Sequence, residues 1–113
     1  MGRFMSAMLA CLRGEPGPLS KSVCQEIVGV EGITVGKSPA RGVKGLTQKV
    51  GWFVLSEESG GLSYSHGGSG MGYTSMLQLF PARNLGVFVV ANDTYFDKAG
   101  GLAVATKVAD VDW

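Results

Sequence analysis

The catalytic potential of this sequence depends on one imidazole, because His66 is its only histidine. An imidazole titrates near neutral pH and can act as a general base or a general acid. Ser69 follows it across two glycines and Ser75 lies beyond the next turn, so either hydroxyl is a candidate nucleophile. Asp93 and Glu58 are the candidate carboxylates for orienting the imidazole. We predict His66 and Ser69 as the catalytic residues, with a simple turn residue as the alternative role of Ser69.

The glycines around His66 predict a substrate-binding strand. Gly67, Gly68 and Gly70 carry no side chain, so the backbone of a substrate can lie close to them. Tyr73 follows these glycines directly and is expected to line the same pocket. We therefore assign Gly67, Gly68, Gly70 and Tyr73 to substrate binding.

Neither a metal nor a cofactor is predicted. One histidine and scattered carboxylates do not make a transition-metal site, although a hard cation held by Asp93 and Asp97 is left open. The run Gly36-Lys37-Ser38 is similar to the end of a phosphate-binding loop. That loop requires a glycine five positions earlier, where this chain has Glu31, whose carboxylate would repel phosphate.

Charge and hydropathy exclude two classes of partner. The net charge is +1 and the basic residues are scattered, so neither nucleic acid nor an acidic membrane surface is predicted to bind. No apolar stretch approaches the length of a membrane span.

Cys11 and Cys24 match no metal or redox spacing and are interpreted as free thiols in a reducing compartment. Residues 4–12 match a signal peptide only weakly, and the predicted location is cytoplasmic.

Three helices are predicted from apolar spacing and from start and stop signals. Residues 4–12 repeat their apolar positions with helical spacing, and Gly14 is typical of a helix C-terminus. Ser20 is a typical N-cap for a second helix that extends to residue 28. The third helix is predicted over residues 97–109.

Four β-strands are predicted, over residues 50–55, 62–66, 73–80 and 87–91. Residues 87–91 are apolar throughout, which predicts a central strand that helices cover on both faces. Residues 29–49 show little periodicity and are interpreted as a surface connection. The predicted architecture is a single α+β domain, residues 1–113, with an antiparallel sheet of about four strands and the helices packed on it.

The stretch Tyr64-Ser-His-Gly-Gly-Ser-Gly-Met-Gly-Tyr73, together with residues 76–92, resembles the C-terminal part of the β-lactamase-related serine hydrolases. This family contains class C β-lactamases, family VIII carboxylesterases and D-amino-acid-processing peptidases. Residues 1–12 look like the helix that lies upstream of this region in the family, and residues 51–54 look like its preceding strand. The resemblance implies a partial β-lactamase-like fold.

In that family the third active-site motif is Lys-Thr-Gly or His-x-Gly, and His66-Gly67-Gly68 is similar to the second form. The resemblance implies that His66 supports proton transfer or holds a substrate carboxylate, with an oxyanion-binding N–H near Ser69. The family nucleophile lies in Ser-x-x-Lys, yet no serine here precedes a lysine by three residues. Tyr-x-Asn is also missing, and both motifs would lie upstream of Met1. The chain thus looks like the C-terminal third of the fold.

The sequence predicts a truncated serine hydrolase relative, at most a weak hydrolase of esters, lactones or amides that depends on His66. Its substrate would be a small ester, lactone or lactam. The alternative is a non-catalytic binding or self-assembling module built from the remnant sheet. A sheet that has lost neighbouring strands exposes edges that favour pairing with other chains, so a homo-oligomer is expected.

Overall fold

Six strands form one antiparallel sheet in the computed structural model, which describes residues 1–29, 31–36, 43–58, 60–94 and 101–112. The strands lie side by side in chain order. Their bounds are β1 Ile33–Gly36, β2 Val43–Lys49, β3 Trp52–Glu57, β4 Leu62–Gly70, β5 Tyr73–Phe80 and β6 Leu85–Ala91. The helices described are α1 Gly2–Arg13, α2 Lys21–Gly29 and α3 Gly101–Ala109. The α+β class fits this architecture, but the prediction of about four strands was wrong.

The two additional strands, β1 and β2, lie in the segment that was interpreted as a surface connection. β2 pairs with β3 from Val43 opposite Glu57 to Lys49 opposite Trp52, and β1 pairs with β2. Polar residues dominate β2, so its sequence lacks an alternating pattern. Pairing with β3 supplies its backbone hydrogen bonds whatever the side chains are, because strand formation depends more on context than on intrinsic propensity.

β6 lies at an edge of the described sheet, and the prediction that it is central was wrong. It pairs with β5, and α3 covers Val87 on one face. On the other face Phe88 and Val90 are 38% and 57% exposed. A short apolar run cannot distinguish a strand buried on both faces from an edge strand that exposes one of them.

The sheet is covered on both faces, by α1 and α2 on one and by α3 on the other. Met8 and Leu9 of α1 pack against four sheet residues, Val54, Tyr64, Leu77 and Leu79. Ala105 and Ala109 of α3 pack against Val87. α1 and α3 therefore pack over β5 or its neighbouring strands from opposite faces. The sheet divides the core into two clusters.

The predicted ends of the N-terminal helices are confirmed. Gly14 follows α1 in the left-handed conformation with φ of 70°. The Oγ of Ser20 accepts a hydrogen bond from the backbone N–H of Val23 at 3.4 Å, as an N-cap does. For α3, the Arg83 guanidinium donates to the carbonyls of Ala109 and Val111 and so closes its C-terminal end. Residues 97–100 of the predicted third helix lie outside the described residues.

Cys11 and Cys24 form a disulfide that joins α1 to α2, so the prediction of free thiols was wrong. Their Cα atoms are 5.2 Å apart, a separation typical of disulfides. The spacing of two cysteines along a chain does not show whether two helices will bring them together. None of the described helices is long and apolar enough to cross a membrane.

Candidate functional site

Strand β4 places His66 on the sheet face that α1 covers. The pairing of β4 with β5 is regular from Tyr64 opposite Leu79 to Gly70 opposite Tyr73. His66 lies opposite Leu77, and Leu77 lies opposite Phe88 on β6. Because paired residues project from the same face of a sheet, the imidazole shares its face with these two apolar side chains.

A cleft of about 390 Å³ surrounds the exposed imidazole. Three aromatic residues from α1, β3 and β6 contribute to its walls: Phe4, Trp52 and Phe88. Met1, Gly51 and Leu77 also line the cleft. The polar side-chain groups in its lining are the His66 imidazole, the Ser75 hydroxyl and the indole N–H of Trp52. The cleft is therefore an apolar recess with one proton-transfer group and one hydroxyl, a composition that suits a small ligand.

Ser75 shares this cleft with His66, whereas Ser69 does not line it. Ser75 is opposite Gly68, two residues after His66, so the two side chains are diagonal neighbours on one face. Such neighbours lie about 7–8 Å apart between Cα atoms, close enough for both side chains to border one cleft. Ser69 is three residues from His66 on a regular strand and projects from the other face. The structure thus brings His66 together with the second candidate hydroxyl and not with the first.

The candidate orienting carboxylates lie away from the imidazole. Glu58 is in the turn between β3 and β4, at the end of β4 that is remote from its glycines. The backbone carbonyl of Asp93 accepts a hydrogen bond from Thr74 Oγ1 at 2.7 Å, and Thr74 is opposite Ser69. Among the described residues, no carboxylate lines the cleft. A Ser-His-Asp arrangement is therefore not assembled by these residues.

The four residues assigned to substrate binding divide between the two faces. Gly68, Gly70 and Tyr73 share the face of His66, and Tyr73 is 62% exposed. A Cβ at Gly68 or Gly70 would meet open space. Gly67 projects to the other face, where a Cβ would lie 2.7 Å from Met76 Cε. Gly67 therefore leaves room for the Met76 side chain on the opposite face. Gly68, Gly70 and Tyr73 extend the surface of the strand beyond the cleft.

The tip of this hairpin is a two-residue turn formed by Met71 and Gly72. Both have positive φ, 49° and 89°, the signature of a type I′ turn, which matches the twist of an antiparallel pair. The Gly72 N–H donates to Thr94 Oγ1 at 2.8 Å, which ties the turn to the chain after β6. The turn holds β4 and β5 in the register that brings Ser75 into the cleft.

A second polar cluster lies on the face opposite His66. Ser63 Oγ donates to Glu57 Oε1 at 2.6 Å and accepts from Gln78 Nε2 at 3.2 Å. Ser63 and Gln78 are buried, and Gln78 Oε1 has no hydrogen-bond partner among the described residues. A substrate cannot reach a serine that is fully buried, so this cluster is structural.

The aromatic walls of the cleft are the functional residues that sequence reasoning missed. Trp52 precedes Phe53, which is opposite Ser65, so Trp52 lies beside His66 across β3 and β4. Phe4 and Phe88 join it from elements more than eighty residues apart in the chain. No local signal connects them, because only the packing of α1 across the sheet brings them together.

The described residues contain no group of three or more His, Cys, Asp or Glu side chains that could hold a metal ion. Of the two residues of the cation site left open, Asp97 lies outside the described residues. Comparison of the chain with family models, curated proteins and solved structures finds no match. The resemblance to β-lactamase-related hydrolases stays a prediction from the residues that carry it.

Proposed function

We propose that the His66 cleft binds a small apolar ester, lactone or amide and hydrolyses it slowly. The observation that carries this proposal is the joint presence of His66 and Ser75 in one aromatic-walled cleft. The aromatic walls would hold the apolar part of the substrate and place its carbonyl near the imidazole. The lineage we propose is that of the β-lactamase-related serine hydrolases, with Ser75 as the candidate nucleophile among the described residues.

His66 acts as the general base in the proposed reaction. Its imidazole takes a proton from Ser75 Oγ, through one intervening water, or from an attacking water itself. The oxygen bonds to the substrate carbonyl carbon while the carbonyl electron pair moves to its oxygen. Collapse of this intermediate breaks the bond to the leaving group, which takes the proton from the imidazolium. Where Ser75 has attacked, water releases the acyl group by the same steps.

Turnover is expected to be low because the site lacks two usual contributions. No carboxylate orients the imidazole among the residues that line the cleft. The predicted oxyanion donor near Ser69 lies further along β4, towards the hairpin tip. Positioned proton transfer alone contributes on the order of 10²–10⁴ in rate, and this range sets the acceleration we expect.

The first experiment is hydrolysis of a p-nitrophenyl ester and of a chromogenic cephalosporin by four proteins: wild type, His66→Ala, Ser75→Ala and Ser69→Ala. We expect His66→Ala to fall to the uncatalysed background and Ser75→Ala to lose activity several-fold. Ser69→Ala is the matched control, because its hydroxyl projects from the other face. Equal rates for wild type and His66→Ala would refute the proposal. Loss of activity in Ser69→Ala alone would refute the assignment of Ser75.

A non-catalytic binding cleft is the second candidate, favoured by the absence of a carboxylate from the described lining. The fluorescence of Trp52 would report ligand binding in the cleft, since a Trp113→Phe background leaves Trp52 as the single tryptophan. Quenching of its fluorescence by an unreactive ether analogue of the ester, without turnover of the ester, would support binding alone. Turnover that is lost in His66→Ala would decide for the hydrolase.

The compartment belongs to the same proposal. The cytoplasmic prediction rested partly on free thiols, and Cys11 and Cys24 are joined. Disulfides persist in oxidising compartments and are uncommon in reducing ones. We therefore favour an oxidising compartment for the folded chain.

A further inference from the structure

The outer edge of β6 lacks the features that usually prevent an exposed strand edge from pairing with another chain. Among the described residues no strand pairs with that side of β6. The strand is Leu85-Gly-Val-Phe-Val-Val-Ala91, with no charge and no proline, and its pairing with β5 shows no register shift. Monomeric proteins normally blunt such edges with lysine, proline, bulges or short strands. β6 has seven residues and none of these devices.

The opposite edge of the sheet differs in each respect. β1 has four residues, and its register with β2 shifts between Thr34 and Gly36. A short, irregular strand makes a poor template for a partner. The two edges therefore differ in their capacity to pair, although both expose apolar side chains, such as Val35 at 54% and Val90 at 57%.

We infer that β6 pairs antiparallel with β6 of a second copy of this chain, about a two-fold axis at Phe88. Phe88 is the middle residue of the strand, so the axis sets Phe88 opposite its own copy. Gly86 then lies opposite Val90, and Leu85 lies opposite Ala91. Each of these two pairs joins a large side chain to a small one, Val87 lies opposite Val89, and no charged side chain lies along the paired strands.

The α3 helices fit this arrangement. α3 packs over both β5 and β6, so its axis lies near the boundary between them. Neighbouring strands are about 4.8 Å apart, which places the two symmetry-related α3 axes about 10 Å apart, a normal distance for packed helices. Val104 of α3 and Val111 in the turn after it are 37% and 50% exposed, and they lie among the exposed charges of Lys107, Asp110 and Asp112. Lys107 is the one charged residue in α3.

The inferred dimer also extends the wall of the His66 cleft. Phe88 lines the cleft beside His66, and its face of β6 is open at the sheet edge. In the inferred dimer the partner's Phe88 lies against this residue and extends the aromatic wall. Aromatic pairs of this kind add about 0.5–1.5 kcal/mol beyond the area that they bury.

Light scattering coupled to size-exclusion chromatography tests the inference on the full chain. Wild type should show twice the chain mass of 11.8 kDa, with dissociation on dilution. Val90→Lys places a charge on the proposed interface and should give a monomer. Val35→Lys is the matched control on the other edge, with nearly the same exposure, and should stay dimeric. Circular dichroism of each variant checks that it is folded.

A charge swap tests the position of the axis. Phe88→Lys and Phe88→Glu each place like charges opposite one another and should be monomeric alone, whereas their equimolar mixture should recover the dimer mass. A monomeric wild type at high concentration would overturn the inference. A dimer that Val35→Lys breaks and Val90→Lys does not would also overturn it, and failure of the mixture to associate would overturn the Phe88 axis.

Discussion

Tyr64 lies two residues before His66 on β4, but its environment is very different. It is 6% exposed and packs in the core cluster that contains Met8, Leu9 and Leu79. Burial raises the pKa of the Tyr64 phenol above its ordinary value of 10.0, because the phenolate would lose its hydration. The proton on this hydroxyl is therefore held more tightly in the folded chain than in the unfolded chain.

This difference in pKa predicts how stability changes at alkaline pH. The contribution of Tyr64 is fully present below the unfolded pKa of 10.0 and is lost as pH rises through the higher folded pKa. We expect the free energy of unfolding to fall from about pH 9 to about pH 11, and to fall less in Tyr64→Phe. Urea denaturation at both pH values measures this change.

Tyr73→Phe is the control for Tyr64→Phe, since Tyr73 is 62% exposed on the next strand. Its alkaline loss of stability should equal that of wild type. An equal loss in Tyr64→Phe and wild type would contradict the prediction.

At the scale of elements, α2 is the helix with the weakest attachment to the sheet. None of its residues is buried. It is held by the disulfide at Cys24, by Ile27 at the margin of the core and by a hydrogen bond from Lys49 Nζ to the Val28 carbonyl at 2.8 Å. A helix of nine residues without such contacts is marginal in water. The disulfide is therefore its main constraint.

Reduction of this disulfide should destabilise the fold. The bond closes a loop with a sequence separation of 13, which corresponds to about 3 kcal/mol in the chain-entropy account. We expect the urea midpoint of wild type to fall when a dithiol reductant is added, with a partial loss of helical circular dichroism.

Cys24→Ser provides the control, because it lacks the bond while replacing a partly exposed side chain with one of similar size. Its midpoint should match that of reduced wild type and should not respond to the dithiol. A wild-type midpoint that is the same with and without reductant would show that α2 contributes nothing to stability through this bond.

At the scale of the whole molecule, we expect the backbone amides of β5 to be the best protected against hydrogen exchange and those of β1 to be the least protected. β5 pairs with a strand on each side, α1 packs on one of its faces through Leu77 and Leu79, and α3 packs on the other beside Met76. β1 pairs with β2 alone among the described strands, and Ile33 is 77% exposed. Local opening should therefore begin at β1 and reach β5 last.

Hydrogen exchange measures this order directly. Paired amides of β5 should exchange at rates close to those set by global unfolding, and those of β1 should exchange fastest of the six strands. β2, which lies next to β1, should be intermediate. Exchange from β1 that is as slow as exchange from β5 would mean that the edge is covered in solution.

Elements with strong local signals were predicted from sequence. β5 has the predicted bounds of residues 73–80, and α1 ends at Gly14 as expected. His66 was identified as the centre of the candidate site because no other histidine exists. The bounds of β5 and the end of α1 could be predicted because apolar periodicity and a glycine stop depend on neighbouring residues alone.

Tertiary structure decided the features that depend on pairing between distant segments. β2 forms because β3 offers it an edge, and β1 pairs in turn with β2. Cys11 meets Cys24 because α1 and α2 pack together. The sheet register assigns Ser75, and not Ser69, to the face of His66. The sequence by itself determined which side chains could transfer a proton or attack a carbonyl. Which of them share one cleft is a property of the register, because a shift of one residue moves every side chain of a strand to the other face.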